Sequence, residues 1–160
     1  MTIRKATPLD IDTIMPIYDQ ARQRMRSAGN MVQWIDGYPQ RELILQAIAE
    51  GTHYVCEEAS SLMAVFTLIF GDDPTYRVIE GAWPNDKPYA TIHRIAATAP
   101  GHQVLHHVVQ WALTQTDNLR IDTHADNALM LQLLEREGFR YCGIIHVANG
   151  TPRKAFQIVR

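Results

Sequence analysis

The apolar run from Ser61 to Phe70, SLMAVFTLIF, limits the folds that are open to this chain. Its hydrophobic residues occupy both alternating sets of positions, so a strand built from it would be apolar on both faces. Such a strand is typical of the centre of a sheet with further elements packed on each side. We therefore predict helices on both faces of a sheet. The run is far too short to cross a bilayer, which needs about 20 apolar residues.

The first part of the chain predicts two helices before this strand. TIRKAT predicts a short strand, and Pro8 marks the start of a helix that ends near Gly29. That helix is indicated by apolar residues at helical spacing, which are Ile11, Ile14, Tyr18, Ala21 and Met25. A second helix is predicted over about residues 40–50, and THYVCEE predicts the strand that precedes the apolar run.

The second part predicts strands that alternate with helices. After an irregular stretch, YATIHRIAA predicts a strand and a helix starts near Gly101. This helix has one apolar face, formed by Val104, Leu105, Val108, Val109, Trp111 and Ala112. LRIDTH predicts a strand, and the next helix begins near Asn127, with Asp126 or Asn127 as its cap. Asn149 and Gly150 lie between two strand-like runs and predict a terminal hairpin.

These elements follow the order β-α-α-β-β-β-α-β-α-β-β and predict one domain over residues 1–160. The expected fold class is mixed α/β (α+β), with a largely antiparallel sheet of about six to seven strands and about four flanking helices. With 160 residues the chain is long enough to bury a core.

Composition excludes some functions and favours a cytoplasmic location. The formal net charge is -2 and the basic residues are scattered, so no nucleic-acid surface is expected. The N-terminal sequence MTIRKATPLD contains no apolar signal region, and no membrane association is expected. Cys56 and Cys142 are expected to be buried free thiols. His102 and His106 have a spacing that suits a metal, but no third ligand is evident and we expect no metal site.

Three segments resemble a known family. IRKATPLDIDTIMPIYDQAR forms a strand and a helix, and IHRIAATAPG leads into a helix ending VVQWA. IDTHADNALMLQLLEREGFRYCGII forms a strand and a helix that ends in Gly-Phe. Together they resemble the first strand and helix, motif A and motif B of the GNAT superfamily of N-acetyltransferases, over nearly the whole chain. WIDGYP, IHRIA and RIDTHADN further resemble segments of a divergent group in that superfamily.

The resemblance implies acetyl-CoA as the cofactor. Its pantetheine arm would run beside the strand that carries Ile95, Ala96 and Ala97. Asn127 would approach the same arm, although helix capping explains Asn127 equally well.

The phosphate-holding loop departs from the family pattern Q/R-x-x-G-x-G/A. The matching places hold Pro100, Gln103 and Leu105, and we expect Gln103 and Leu105 to crowd a phosphate. His102 is a partial substitute for the missing basic residue. The resemblance still implies cofactor contacts here, from Gly101, His102, Gln103 and Val104.

Direct attack by an amine needs a base for the ammonium proton and an acid for the departing thiolate. GNAT enzymes commonly use a tyrosine of the motif B helix as the acid, and the matching position here is Leu134. Tyr141 and Tyr89 are the candidate replacements, although a tyrosine in a strand is also typical of packing.

His93 is the first candidate for the base, because an imidazole titrates near neutral pH. Strand alternation predicts that His93 and Ile95 face the same side. A histidine in an apolar strand is also typical of a structural residue. Glu80 and His124 are weaker candidates for the same role.

The acceptor is expected to be an amine of a small molecule or a peptide. Aromatic and acidic side chains of two loops suit a cation, and the candidate binding residues are Trp34, Tyr38, Tyr76, Trp83 and His124. The alternative for WIDGYP is a packed loop that anchors the fold. Two functions stay open: an N-acetyltransferase, or a degenerate member that binds a ligand or partner without chemistry. A homodimer is an alternative to a monomer, because many domains of this family pair.

Overall fold

The computed structural model describes residues 1–99 and 103–160 of the chain. Within these residues there are eight strands and four α-helices. The strands are β1 (Thr2–Lys5), β2 (His53–Glu58), β3 (Ser61–Phe70), β4 (Glu80–Gly81), β5 (Ala90–Ala97), β6 (Asn118–Thr123), β7 (Arg140–His146) and β8 (Pro152–Val159). The helices are α1 (Ile11–Ser27), α2 (Arg41–Ala49), α3 (Val104–Ala112) and α4 (Ala128–Arg136). Short 3₁₀ turns occupy Pro8–Asp10 and Pro74–Tyr76.

All eight strands form one sheet in the order β1-β2-β3-β5-β6-β8-β7-β4, as far as the described residues extend. Every neighbouring pair is antiparallel except β5 and β6, which are parallel. This confirms the predicted mixed α/β class with a largely antiparallel sheet. The strand count exceeds the expected six to seven because β4 forms within the stretch predicted to be irregular.

Two glycines explain how β4 joins the sheet. A Cβ atom on Gly81 would collide with the carbonyl oxygen of Cys142, and one on Gly143 would collide with that of Glu80. The backbones of β4 and β7 therefore approach more closely than side chains would allow. A two-residue strand made by this approach carries no periodic pattern that the sequence could reveal.

The central position of β3 is confirmed by its burial. Val65 and Phe66 are both fully buried, on opposite faces of the strand. Val65 packs in the apolar cluster of α1 and α2, called the α1 face, and Phe66 packs in the cluster of α3 and α4, called the α3 face.

The helices confirm most of the predicted boundaries. α1 begins after a 3₁₀ turn at Pro8 and ends two residues before Gly29. The predicted apolar face of α3 is buried except for Trp111, which is partly buried and packs in the same cluster. The predicted start of α3 near Gly101 lies outside the described residues. Asn127 caps α4 by accepting a hydrogen bond from the Met130 N–H at 3.3 Å.

The cysteines are buried and free, as predicted. Burial raises the pKa of the Cys56 thiol to about 12 and also raises the pKa of Cys142. Neither thiol is therefore activated as a thiolate.

A bulge interrupts β5. Thr67 of β3 pairs with His93 and Val65 pairs with Ala96, so Phe66 lies opposite two residues, Arg94 and Ile95. Arg94 has a φ of 52°, which a residue with a side chain rarely adopts. Such a bulge adds one residue to a strand and shifts its alternation.

The parallel pairing of β5 with β6 is short. It joins Ala90 to Leu119 and Thr91 to Arg120, and no further pair follows in the described residues. β6 stays paired with β8 on its other side up to Thr123. A gap therefore opens between β5 beyond Thr91 and β6 beyond Arg120, and we call this gap the wedge.

Candidate active site

The bulge determines which way the side chains of β5 face. Ile92 and Ile95 both pack in the cluster of the α3 face, whereas Ala96 packs in the cluster of the α1 face. His93 follows Ile92 and faces the side opposite to α3. The prediction that His93 and Ile95 share a side is therefore wrong, because the extra residue reverses the alternation between them.

His93 forms a hydrogen-bonded pair with Asp73. Its Nε2 lies 2.8 Å from the Asp73 Oδ2, and the other carboxylate oxygen accepts hydrogen bonds from the N–H and hydroxyl of Thr75 at 2.9 and 2.8 Å. Burial raises the pKa of Asp73, but the hydrogen bonds from His93 and Thr75 outweigh burial and bring this pKa to about 2. Asp73 is therefore ionised at neutral pH and accepts a hydrogen bond from the His93 Nε2–H.

The second ring nitrogen of His93 is uncommitted. Nδ1 makes no hydrogen bond to the described residues, and the side chain is 23% exposed. When Nε2 carries the proton that points to Asp73, Nδ1 carries a lone pair. The pair thus presents a fixed, accessible proton acceptor at the point where β5 leaves β6.

Tyr76 and Asp122 lie beside this pair. The Tyr76 hydroxyl donates a hydrogen bond to the Asp122 Oδ2 at 2.6 Å, and its ring centroid lies 6.4 Å from that of His93. Burial raises the pKa of Tyr76 well above its usual value and also raises the pKa of Asp122. Sequence reasoning placed Tyr76 near the acceptor but missed Asp122, whose only signal was a carboxylate in the strand LRIDTH.

A second group of polar side chains surrounds the bulge. The Arg94 Nε donates to the Tyr38 hydroxyl at 2.9 Å, and its Nη1 lies 3.4 Å from the Thr67 hydroxyl. The Arg94 carbonyl accepts a hydrogen bond from the Tyr18 hydroxyl at 2.7 Å. Trp34 packs edge-on against Tyr18 with 5.6 Å between ring centroids. The predicted acceptor residues Trp34 and Tyr38 therefore both lie near the bulge.

The loop that carries Trp34 and Tyr38 is held by polar contacts from α1. The Arg26 guanidinium donates to the carbonyls of Asn30, Gln33 and Trp34 at 3.0, 2.7 and 2.8 Å. The Gln33 Oε1 accepts hydrogen bonds at 3.4 Å from the His124 N–H and from the Asn127 Nδ2. Gln33, which sequence reasoning did not identify, thus connects this loop to the end of β6 and the start of α4.

The predicted cofactor residues that the structure describes lie on β5 and at the starts of α3 and α4. Ile95, Ala96 and Ala97 follow the bulge on β5, at the edge of the wedge. Gln103 is exposed before α3, and Val104 is buried in the cluster of the α3 face. Gly101 and His102 lie outside the described residues.

Two cofactor expectations change with the structure. Leu105 is buried in the cluster of the α3 face, so the prediction that it crowds a phosphate is wrong. The Asn127 Oδ1 accepts the capping hydrogen bond of α4, and its Nδ2 donates to the Gln33 Oε1. Both the oxygen and the nitrogen of its amide therefore have partners within the protein.

The remaining predicted residues are not brought together with His93. Glu80 is exposed on β4, and β6, β8 and β7 lie between β4 and β5. Tyr141 is 52% exposed on β7 and packs against Phe156, on the α3 face. The His124 Nδ1 accepts a hydrogen bond from the Asp126 N–H at 2.9 Å.

Trp83 belongs to a separate aromatic group. It and Tyr89 enclose the Arg120 guanidinium, whose carbon lies 3.9 and 3.8 Å from the two ring centroids. Tyr76 connects the two groups, with its ring 5.1 Å from Trp83. The loop from Gly71 to Pro88 thus supplies both Asp73 for His93 and an aromatic cover for Arg120.

Residues 1–99 and 103–160 contain neither a candidate metal site nor a helix that could span a membrane. No group of three or more His, Cys, Asp or Glu side chains is arranged to hold a metal ion there. No helix in this part of the chain has the length and apolar character needed to cross a membrane.

Comparison with known proteins identifies the family through structure. No protein-family profile matches the chain, and no curated protein sequence matches it significantly. Solved structures do match over nearly the full length. A GNAT-family acetyltransferase from Listeria monocytogenes 4b F2365 is 18% identical, with 99% of this chain and 94% of that chain covered and a TM-score of 0.68. A ribosomal-protein-alanine N-acetyltransferase from Brucella melitensis is 19% identical over 100% of both chains, with a TM-score of 0.62.

These two similarities show the fold of the chain, which is that of the GNAT-type acyltransferases. A GNAT-family acetyltransferase from Streptococcus agalactiae 2603 is much more similar, at 32% identity, with 99% of this chain and 95% of that chain covered and a TM-score of 0.90. The chain therefore belongs to the GNAT family of acetyltransferases, as the sequence resemblance indicated.

Proposed function

We propose that this protein is an acetyl-CoA-dependent N-acetyltransferase that acts on a primary amine of a small molecule or peptide by direct attack. The observation that carries the proposal is the Asp73–His93 pair at the start of the wedge. It presents a fixed proton acceptor where the sheet opens, on a face with further carboxylates and aromatic rings. A purely structural histidine would not need an accessible, uncommitted ring nitrogen.

The residues of the chain fit acetyl-CoA at two places. Beyond Thr91, the edge of β5 that faces β6 has no strand partner in the described residues. The carbonyls of Arg94 and Ala97 accept hydrogen bonds from Tyr18 and Arg24, so the other backbone groups of this edge are the ones available to the amides of the pantetheine arm. The first N–H groups of α3 follow the strand, and no side chain of the described residues caps them. Free N–H groups at a helix start favour a pyrophosphate.

When bound, acetyl-CoA supplies an activated acyl carbon with a thiolate leaving group. His93 accepts the proton of the attacking amine at Nδ1, and Asp73 stabilises the resulting imidazolium through Nε2. Thr75 holds the Asp73 carboxylate in place, so the imidazole keeps its orientation during the transfer. Proton transfer by a positioned side chain contributes about 100-fold to 10,000-fold to a rate.

One observation favours the second candidate function, a GNAT-fold protein that binds a ligand or partner without transfer. Leu134 is fully buried in the apolar cluster of the α3 face, at the α4 position where the family commonly has its acid. On this view the wedge keeps its ligand and the chemistry is lost.

Calorimetry and turnover separate the two functions. We expect micromolar binding of acetyl-CoA that weakens for dephospho-CoA and pantetheine, followed by transfer to members of an amine panel. His93→Gln should lower kcat by about 100-fold or more without changing the affinity for acetyl-CoA. His107→Gln, an exposed histidine on α3, is the matched control and should leave both values unchanged. Binding without turnover on any amine would establish the second function. No binding at millimolar acetyl-CoA would overturn the first function and leave a partner or another ligand as what the second function binds.

A further inference from the structure

Asp122 and His93 face each other across the wedge. Thr91 pairs with Arg120 at the last point of contact between β5 and β6, and each of the two residues lies two positions further along its strand. Ile92 and Ile121 both pack into the cluster of the α3 face. Their neighbours His93 and Asp122 therefore lie on the same opposite face, one on each side of the wedge.

One oxygen of the Asp122 carboxylate accepts a hydrogen bond and the other accepts none from the described residues. Oδ2 accepts the hydrogen bond from the Tyr76 hydroxyl, while Oδ1 accepts none from the described part of the chain. Tyr76 is 2% exposed, so this bond also fixes the direction of the carboxylate. The bond leaves Oδ1 as a positioned acceptor.

Asp122 also lacks a cation. No lysine, arginine or histidine of residues 1–99 and 103–160 forms an ion pair with it. His93 and Arg153 are both near enough to act on its charge, but the His93 Nε2 is bonded to Asp73 and the Arg153 Nη1 donates to the Thr151 hydroxyl and the Pro152 carbonyl. Burial disfavours the charged form of Asp122 and so raises its pKa. A cation placed beside the carboxylate would favour the ionised form and be bound by it.

The groups that face the gap suit one kind of ligand. Asp122 offers a carboxylate oxygen, His93 offers a ring nitrogen, and the Tyr76 ring packs beside both. Asp73, the second carboxylate, is already used by His93 and Thr75. A primary ammonium has several N–H donors and one positive charge, which matches two acceptors and one uncompensated anion.

We propose that Asp122 is the specificity-determining residue that binds the acceptor ammonium opposite His93, so that the wedge selects cationic amines over neutral nucleophiles. This inference rests on the proposed function. The ammonium bonded to Asp122 gives one proton to the His93 Nδ1, and the freed lone pair forms the C–N bond as the C–S bond breaks. The nitrogen's second proton passes to the thiolate, and His93 returns its proton to solvent.

The test measures binding separately from transfer. The probes are n-butylammonium chloride and the neutral n-butanol, titrated into the full chain and followed by the backbone amide signals of His93 and Asp122. Asp122→Asn keeps the size of the side chain and an oxygen for the Tyr76 hydroxyl. We expect it to weaken n-butylammonium binding by about tenfold, the loss typical of a charge-assisted contact, and to leave n-butanol unchanged.

Transfer supplies the second arm. Asp122→Asn should raise KM for n-butylamine by about tenfold and leave transfer to hydroxylamine, which is uncharged at neutral pH, within about twofold. Asp117→Asn is the matched control, because it removes an exposed carboxylate just before the same strand; it should retain the preference for the charged probe. Equal binding of n-butylammonium by the wild-type and Asp122→Asn chains would overturn the inference.

The two proposals fail differently. If no amine is acetylated but the binding of n-butylammonium still depends on Asp122, the proposed function would be overturned and the ammonium site retained. If Asp122→Asn does not fold, the comparison of the two probes on the wild-type chain tests the inference. Shifts of the two amide signals with n-butylammonium but not n-butanol would support the site, and equal shifts with both would overturn it.

Discussion

The two faces of β6 differ sharply in what they contact. Leu119 and Ile121 point into the continuous apolar cluster of the α3 face, whereas Arg120 and Asp122 point to a face of aromatic rings and polar side chains. The same six-residue strand therefore supports the core on one side and the candidate chemistry on the other. Alternation at period two is sufficient to keep the two roles apart.

The polar face is confined to the part of the sheet where β5 and β6 separate. On the other side of β5, α1 and α2 cover the same face with an apolar cluster that contains Val55, Val65 and Ala96. The missing strand pairing, and not the strand sequence alone, therefore marks the site. Stability should therefore depend mainly on the helix-covered regions and activity on the wedge.

The largest expected effect on stability is in the α3-face core. Phe66 is fully buried and lies 5.4 Å from the Tyr54 ring and 5.7 Å from the Trp111 ring, measured between centroids. Phe66→Ala should lower the free energy of unfolding by about 3–5 kcal/mol, measured by urea denaturation. Phe70→Ala, on the same strand but 55% exposed, should cost less than about 0.5 kcal/mol. Similar costs for the two variants would contradict the assigned core.

His53 provides the next largest effect, through pH. It is fully buried, and its Nδ1 lies 3.0 Å from the Thr67 hydroxyl. Its pKa is lowered from 6.5 to about 4, mainly by burial and further by the positive charge of Arg94. Between these values the unfolded chain binds the proton and the folded chain does not, so stability is full above pH 6.5 and falls as the pH drops towards 4. At about 1.4 kcal/mol per pKa unit the loss is roughly 3 kcal/mol.

His53→Gln tests this pH dependence. In this variant the free energy of unfolding should change less with pH between 6.5 and 4 than it does in the wild type. This holds even if the variant is less stable than the wild type at pH 7. His107→Gln removes an exposed histidine and should keep the wild-type slope. An unchanged slope in His53→Gln would show that another group is responsible for it.

Local patterns predicted most of the fold. The apolar run of β3, the buried face of α3 and the cap of α4 at Asn127 are all encoded by neighbouring residues, and all are observed. The bulge in β5 is not encoded in this way. Its left-handed residue is Arg94, where a glycine would have been a signal, and the error for the side of His93 follows from that single residue.

The candidate site was less predictable because its contacts are distant in sequence. Asp122 meets Tyr76 across 46 residues, and Gln33 meets Asn127 across 94. The sequence could indicate His93, Tyr38 and Tyr76 by residue type. It could not indicate that Asp73, among several carboxylates of one loop, is the partner of His93.

A smaller effect is expected from Asp73 on the polar face. Its folded pKa of about 2 lies below the usual 3.8, so its contacts contribute stability above pH 3.8 that is lost as the pH falls towards 2. The contribution is roughly 2 kcal/mol for this largely buried side chain. Asp73→Asn should lower the free energy of unfolding by about that amount at pH 7 and weaken its decline below pH 4. Asp72→Asn, which changes the exposed neighbouring carboxylate, should alter neither.

The smallest effect concerns the loop beside the bulge. Tyr38 is partly buried, and its hydroxyl accepts the hydrogen bond from the Arg94 Nε at 2.9 Å. Tyr38→Phe keeps the ring and removes this one bond, so we expect a loss of about 1 kcal/mol in urea denaturation. Tyr141→Phe changes a half-exposed tyrosine whose hydroxyl has no such bond to the described residues, and it should cost close to nothing. A loss of about 3 kcal/mol or more for Tyr38→Phe would mean that its hydroxyl helps to hold the bulge itself, and the division between a stabilising region and a functional region would then fail at Arg94.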